Sequence, residues 1–475
     1  MSSSLLLRDA EIDGVRRGDI RVTDGLVAEI APELSPIGGE RVIDCGGGAV
    51  LPGLCDHHLH LHAMAAAGSS VRCGPPEVGD AGALAAALSQ AGPDETGWIR
   101  GTGYFESVAG DLDATALDRL RADRPVRVQH RSGALWILNT AGLAKIGLAA
   151  GDTGHPGVER DAAGRPTGRL WRADGWLRQR LADGNQELSS PPGLGAVGAR
   201  LRGFGITAVT DATPGLDAVA IASISEAMRR GELPPRVQLL GVPLGGSIPE
   251  TPGLSVGPYK IVLADSGMLT YPELAGRVAA AHAAGRAVAV HCVTLEALVL
   301  LVAVLREVGT ASGDRVEHAG IVPYEMVREL AVLGLRVVTQ PGFLADRGDD
   351  FLDGLPEAEH GDLYRCGSLL RASVPVALSS DAPYGPADPW AVMRAAVSRR
   401  TASGHLPGPG DRISAPRALD AYLSAVDDPG GAPRRVRMGE VADLVLLRVP
   451  LAEALRTHAP VRAVLAAGDD PAALD

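Results

Sequence analysis

Lysine is nearly absent. Of 45 basic residues only Lys145 and Lys260 are lysines, and arginine supplies the rest. A guanidinium cannot lose its proton in a protein, whereas an ammonium can. A surviving lysine is therefore either chance or a place where a neutral amine is wanted. Aromatics are scarce too, at 3%, which leaves no stacking platform for bases. No basic run offsets the net charge of −12. Such a surface repels phosphate backbones, so nucleic acid is excluded as a partner. The longest apolar run, Ala297–Leu305, falls far short of the roughly 20 residues that span a bilayer. A membrane span is thereby excluded. Met1 to Arg8 lacks a basic n-region and a long apolar h-region, so no secretion signal is expected. Five cysteines, at 45, 55, 73, 292 and 366, form no CxxC pair. An odd set without pairing reads as reduced thiols of a cytoplasmic protein.

What is present is ordinary globular material: 475 residues, 46% hydrophobic and 21% charged. That length predicts one large domain with a smaller one. Near the N-terminus, Asp19–Thr23 and Leu26–Ile30 alternate around Asp24-Gly25, a hairpin signal. Arg41–Asp44 follows, and Ala442–Leu447 and Arg462–Leu465 repeat the pattern at the other end. Neither group buries a face alone. Both ends, 1–54 and 425–475, are therefore expected to form one small composite β-sandwich domain. Between them, β-branched runs alternate with helical stretches such as Glu273–Ala284, Leu295–Glu307 and Pro323–Leu333. The alternation predicts a parallel α/β architecture. Residues 55–424 are expected to form a distorted (β/α)8 TIM barrel, with an insertion at about 64–200 lying over its mouth.

Polar residues fall where such a barrel keeps its site, at the C-terminal ends of strands. An apolar stretch runs into Asp56-His57-His58-Leu59-His60. Others end in Asp211, His291, His318, Gln340 and Asp381. Residues i and i+2 of a strand share a face, so His58 and His60 point together and His57 points away. An HxH pair alone is equally a pair of satisfied core histidines. HxH followed by His, His and Asp, each at a strand end, points to a metal centre, with zinc favoured by the imidazole donors.

These motifs resemble those of the amidohydrolase superfamily, in the branch of N-substituted formamide deformylases. Pro52-Gly53-Leu54-Cys55-Asp56-His57-His58-Leu59-His60 is similar to the family's opening motif, and Glu317-His318, Gln340-Pro341 and Ser380-Asp381-Ala382-Pro383 to later strands. Similar stretches in the insertion are Trp136–Leu143 and Gly164–Gly168, and Gly439–Leu444 resembles the returning strand. The resemblance implies one or two divalent ions held by His58, His60, His291, His318 and Asp381. It implies Lys260 as a bridging lysine carboxylated by CO2, which needs a neutral amine. Lys260 opens its apolar run, so its strand is expected to start earlier. After His291 the chain has Cys292-Val293 where the family often has Gly-Asp.

The implied activity is hydrolysis of an amide-type C–N bond in a small N-acyl or N-formyl compound. Asp381 would shuttle the proton, and His318 or a loop donor would help hold the oxyanion. Asp56 and Glu317 are candidates for orienting the imidazoles. Tyr104, His130, Trp136 and Asn139 of the insertion are substrate-pocket candidates, each equally open to packing or loop capping. Gln340 is either a pocket residue or barrel filling. Cys292 is expected to face away from the site as a buried thiol. Alternatives are a cyclic amide, imide, carbamate or ester substrate, or a non-catalytic metal-binding barrel. Homodimerisation, common among soluble enzymes, is compatible with all of these.

Overall fold

The computed structural model describes residues 4–148, 154–182, 191–264, 267–456, 460–466 and 469. The chain forms two compact units, Met1–Leu61 with Leu194–Asp475, and His62–Gly193.

In the larger unit the two chain ends meet in one seven-stranded sheet. Its path runs Val461–Leu465, Leu444–Leu447, Ala49–Pro52, Ser4–Ile12, Arg16–Thr23, Leu26–Ala31, and Arg41–Asp44 pairs beside Ser4–Ile12. The hairpin turn is where the sequence puts it: Thr23 pairs with Leu26, and Asp24 and Gly25 have φ of 50° and 75°. Both central residues at positive φ match the twist of a two-residue hairpin. Leu5, Leu7, Ile20, Val22, Ile43, Leu444 and Leu446 share one buried cluster. The seven strands form one hydrogen-bonded ladder, and its Leu26–Ala31 edge comes back to the segment before Leu444–Leu447 through a bridge from Leu26 to Val441.

Nine parallel strands carry the rest: β1 (Leu54–Leu59), β2 (Ile206–Asp211), β3 (Arg236–Leu239), β4 (Leu254–Val256), β5 (Tyr259–Val262), β6 (Val288–Cys292), β7 (Arg315–His318), β8 (Arg336–Thr339) and β9 (Val376–Leu378). They form two arcs, β4-β3-β2-β1 and β5-β6-β7-β8-β9, and not one closed ladder. Single backbone hydrogen bonds cross between the arcs. Asp381 N donates to His58 O at 2.8 Å, His60 N to Ala382 O at 2.9 Å, and Lys260 N to Leu240 O at 3.2 Å. Arg286 braces the second seam by donating to the carbonyls of Leu240, Val242, Gly257 and Pro258. Helices pack on the strands as the apolar periodicity predicts: Tyr271–Ala283, Leu295–Val308 and Tyr324–Val332 lie within two residues of their expected ends. Thr294, in the stretch that departs from the family pattern, caps the second of these by accepting from Ala297 N.

The strand of Lys260 starts one residue before it, at Tyr259, and Gly257-Pro258 separates β4 from β5. The lysine is the second residue of β5, level with Ala289 and two residues below His291.

The smaller unit has its own mixed six-stranded sheet, from Val158–Arg160 through Pro166–Trp171, Leu135–Leu138, Val126–His130 and Ile99–Tyr104 to Val71–Arg72. Leu84, Ile99, Leu117, Val126 and Val128 fill one cluster of its core, and Trp98, Trp136, Leu138 and Leu170 another.

Candidate metal centre

The strand-end residues of the larger unit converge. His58 closes on Asp381 with Nε2 3.6 Å from Oδ1, and His60 Nε2 is 3.2 Å from the same oxygen. His318 Nδ1 lies 3.8 Å from Asp381 Oδ2. Lys260 Nζ reaches within 3.5 Å of His58 Nε2, its long stem making up for its deeper level. The rings of His291 and His318 are 4.4 Å apart between centroids, and those of His58 and His318 4.7 Å. His58, His318 and Asp381 bring ligand atoms within 4.8 Å of one another.

Backbone geometry explains how neighbours on a strand reach one point. Glu317 and His318 both face the centre, against strict alternation. His318 and Ala319 adopt φ of 71° and 48°, and Asp381 53°. Left-handed backbone at non-glycine residues is strained and concentrates at functional sites.

The imidazoles of His58, His60 and His318 are held through Nδ1. Glu317 takes that of His58. Thr213 Oγ1 is 3.1 Å from that of His60, and Gln340 Oε1 2.9 Å from that of His318. Gln340 Nε2 donates to Ser379 Oγ at 2.9 Å, which fixes the amide so that its oxygen faces His318. Gln340 is 1% exposed. It therefore orients a histidine, and the substrate contact expected of it gives way to that role. Asp56 differs from Glu317: its Oδ1 accepts from the backbone N of His58 and of Ser380, tying β1 to the segment after β9 and not an imidazole. Thr213 and Arg315 were not singled out in the sequence. Thr213 lies two residues past the strand-end Asp211, a weak signal.

Electrostatics favour neutral donors. Burial, reinforced by Lys260 and His60, holds His58 well below the ordinary imidazole pKa, and burial with His291 and His58 does so for His318. Burial likewise lowers Lys260, which favours the amine. Cys292 lies in the apolar cluster behind β6, its thiol pushed up by burial.

These residues fit a metal ion. Asp381 Oδ1 is buried without a hydrogen-bond partner, although two imidazole nitrogens face it. Two donors on one tetrahedral ion stand about 3.4 Å apart when each bond is about 2.1 Å. The separations of 3.2 and 3.6 Å bracket that spacing.

Of the insertion residues, Asn139 is 0% exposed and fully engaged. Its oxygen accepts from Val126 N and Gly142 N, and its amide donates to the carbonyls of Arg121 and Arg124. It caps a helix and a loop, with nothing left for a substrate. Tyr104 is buried with its hydroxyl on Gly110 O, and burial pushes the phenol up to about 12. Trp136 Nε1 donates to Asp174 Oδ1 at 2.8 Å. His130 lies between Glu106, at 3.0 Å, and Ser132, at 2.7 Å. All four lie in the smaller unit.

A parallel α/β frame thus brings His58, His318 and Asp381 together at strand ends as a group that could hold a metal ion. The amidohydrolase family model matches residues 41–469, and the chain belongs to that family. It is thus a hydrolase of C–N bonds other than peptide bonds. It is 25% identical over 492 aligned positions to an N-substituted formamide deformylase of Arthrobacter pascens, covering 90% of this chain and 89% of that one. In fold it is similar to a metal-dependent hydrolase from Pyrococcus horikoshii, with a TM-score of 0.74 at 19% identity, covering 96% and 100% of the two chains. N-isopropylammelide isopropylaminohydrolase from Burkholderia multivorans gives 0.53 at 16%, covering 98% of both.

Proposed function

We propose that the protein hydrolyses the amide-type bond of a small N-acyl or N-formyl compound at a divalent metal centre. His58, His60, Lys260, His291, His318 and Asp381 would hold the metal, with zinc the ion their chemistry suits. The observation carrying this reading is the unpartnered Asp381 Oδ1 facing His58 and His60 Nε2. The formamide deformylase supports the substrate class. We read the two arcs as the distorted barrel of residues 55–424, with the insertion separate and the chain ends as its small β domain.

A divalent ion bound there supplies Lewis acidity, which acidifies water and polarises a carbonyl. Asp381 takes the proton of the attacking water and returns it to the leaving nitrogen. Glu317 and Thr213 hold the imidazoles of His58 and His60 so that each keeps Nε2 for the centre, and Gln340 steadies His318. Burial lowers the Lys260 ammonium toward the amine, which would add its nitrogen to CO2 with release of one proton, and the carbamate so formed would help hold the metal.

Metal content per chain, measured by plasma mass spectrometry on wild type and Lys260→Ala, tests the centre. Near two ions in wild type, falling in the variant, is expected. Near one ion in both removes Lys260 from the centre, and none in wild type overturns the reading. N-formyl, N-acetyl, cyclic imide and aryl ester compounds test the substrate class. Turnover confined to the imide or ester overturns the acyclic amide assignment. With a responsive substrate, Asp381→Asn is expected to lower kcat about 10²–10⁴-fold; full turnover with metal still bound removes the proton shuttle.

A further inference from the structure

The three imidazoles held through Nδ1 are held by different chemistry. His60 meets a hydroxyl and His318 an amide oxygen. His58 meets the Glu317 carboxylate, whose other oxygen accepts from Arg315 Nε at 2.6 Å. The side chains of His58 and Glu317 are 0% exposed and that of Arg315 1%. No solvent competes in this row. Arg315 and Glu317 are two apart on β7 and share a face.

We infer that Arg315 and Glu317 are positioning residues that fix the tautomer of His58, with the proton on Nδ1 and the lone pair on Nε2. The inference rests on the metal-centre reading above. A carboxylate only accepts, so the Nδ1 that meets Glu317 carries hydrogen. The other nitrogen of a neutral imidazole is then a lone pair. That nitrogen is the one facing Asp381 and Lys260.

The part played by Arg315 emerges in Glu317→Gln. A guanidinium only donates, so it pins the amide oxygen to its own side. The amide NH2 is then turned to His58 Nδ1, which must accept. The proton moves to Nε2, and the nitrogen facing the centre loses its lone pair. Shape is preserved while the tautomer is wrong. Replacing Arg315 by Met as well lets the amide turn over, present its oxygen to Nδ1, and restore the tautomer.

The test is long-range ¹H–¹⁵N spectroscopy on ¹⁵N-histidine-labelled, metal-free protein, with His58 identified by its loss in His58→Asn. The proton is expected on Nδ1 in wild type, on Nε2 in E317Q, and on Nδ1 again in R315M/E317Q. In parallel, chelator competition is expected to show metal affinity about 10–100-fold lower in E317Q, most of it recovered in the double variant. A purely structural loss would not be repaired by a second substitution. Wild type protonated on Nε2 overturns the inference, even where E317Q fails to fold. So does E317Q keeping the wild-type tautomer and affinity, or a double variant no better than the single one. Wild type protonated on Nδ1 but binding no metal would sustain the tautomer and sink the metal-centre reading instead.

Discussion

His57 shows what one step along a strand does to an imidazole. It adjoins His58 yet points away, with Nε2 3.0 Å from Ser424 Oγ and Nδ1 3.6 Å from Cys55 Sγ. Burial, helped by Arg315 and Arg434, pushes its pKa down to about 3. An unfolded histidine titrates near 6.5. Between those values the unfolded chain binds one more proton than the folded one, so stability falls as pH drops below about 6.5 and is unaffected above it. The slope for one such group is about 1.4 kcal/mol per pH unit. His57→Gln, which still reaches toward Ser424, is expected to flatten the dependence by one proton between pH 6.5 and 5. Urea unfolding at several pH values measures it, and an unchanged slope would mean that His57 is protonated in the folded protein. The parity that separates His57 from His58 was legible, because alternation in a strand is strict. The joint inward reach of Glu317 and His318 was not, since it depends on left-handed backbone at His318 that no side-chain pattern announces.

Among elements, the terminal sheet is fastened to the parallel strands at Asp443, just before Leu444–Leu447. Its carboxylate, 3% exposed, accepts from Thr207 Oγ1 of β2 at 2.9 Å, from Arg434 at 3.0 Å, and from Arg236 of β3. The close approach also explains Pro52-Gly53. A Cβ on Gly53 would lie 2.0 Å from Thr207 Oγ1 and 2.7 Å from Asp443 Oδ1. The Arg236 and Arg434 side chains are 31% and 26% exposed, so water can replace part of what the carboxylate gives them. Asp443→Ala is expected to lose about 1–3 kcal/mol in equilibrium urea unfolding. No measurable loss would mean that water replaces the carboxylate entirely. Element legibility varied for physical reasons. The helices of the larger unit were clear because their apolar faces repeat without interruption. The division of the Lys260 stretch into β4 and β5 was hidden, because it depends on two short ladders with different neighbours. The sheet of the smaller unit was not read, although Val126 and Val128 alternate with Arg127 and Gln129 as in a half-buried strand. Val126 and Val128 enter one buried cluster while Arg127 lies over the rings of Trp98 and Trp136, so both sides of the strand are covered.

For the whole molecule, the candidate ligands come from both arcs. His58 and His60 belong to the four-stranded arc or its end, while Lys260, His291, His318 and Asp381 belong to the five-stranded one. Among the described residues few backbone hydrogen bonds join the arcs at either seam, Asp381 N to His58 O and His60 N to Ala382 O among them, and side chains such as Arg286, Asp56 and Glu317 add to these. An ion bound by both sides therefore acts as a cross-link where the ladder is weakest, and binding to the folded state alone adds about 2.7 kcal/mol at a hundredfold excess over Kd. Stripping the metal should then loosen that seam more than the remainder of the chain. Hydrogen exchange read by mass spectrometry is expected to show protection lost in peptides covering 54–61 and 376–384 after chelation, and regained when zinc is restored. Peptides covering 99–104 and 126–138, inside the smaller unit's own sheet, are expected to keep theirs. A uniform loss across all four would mean that the ion supports the fold globally, and no change in the first two would mean that it does not join the arcs.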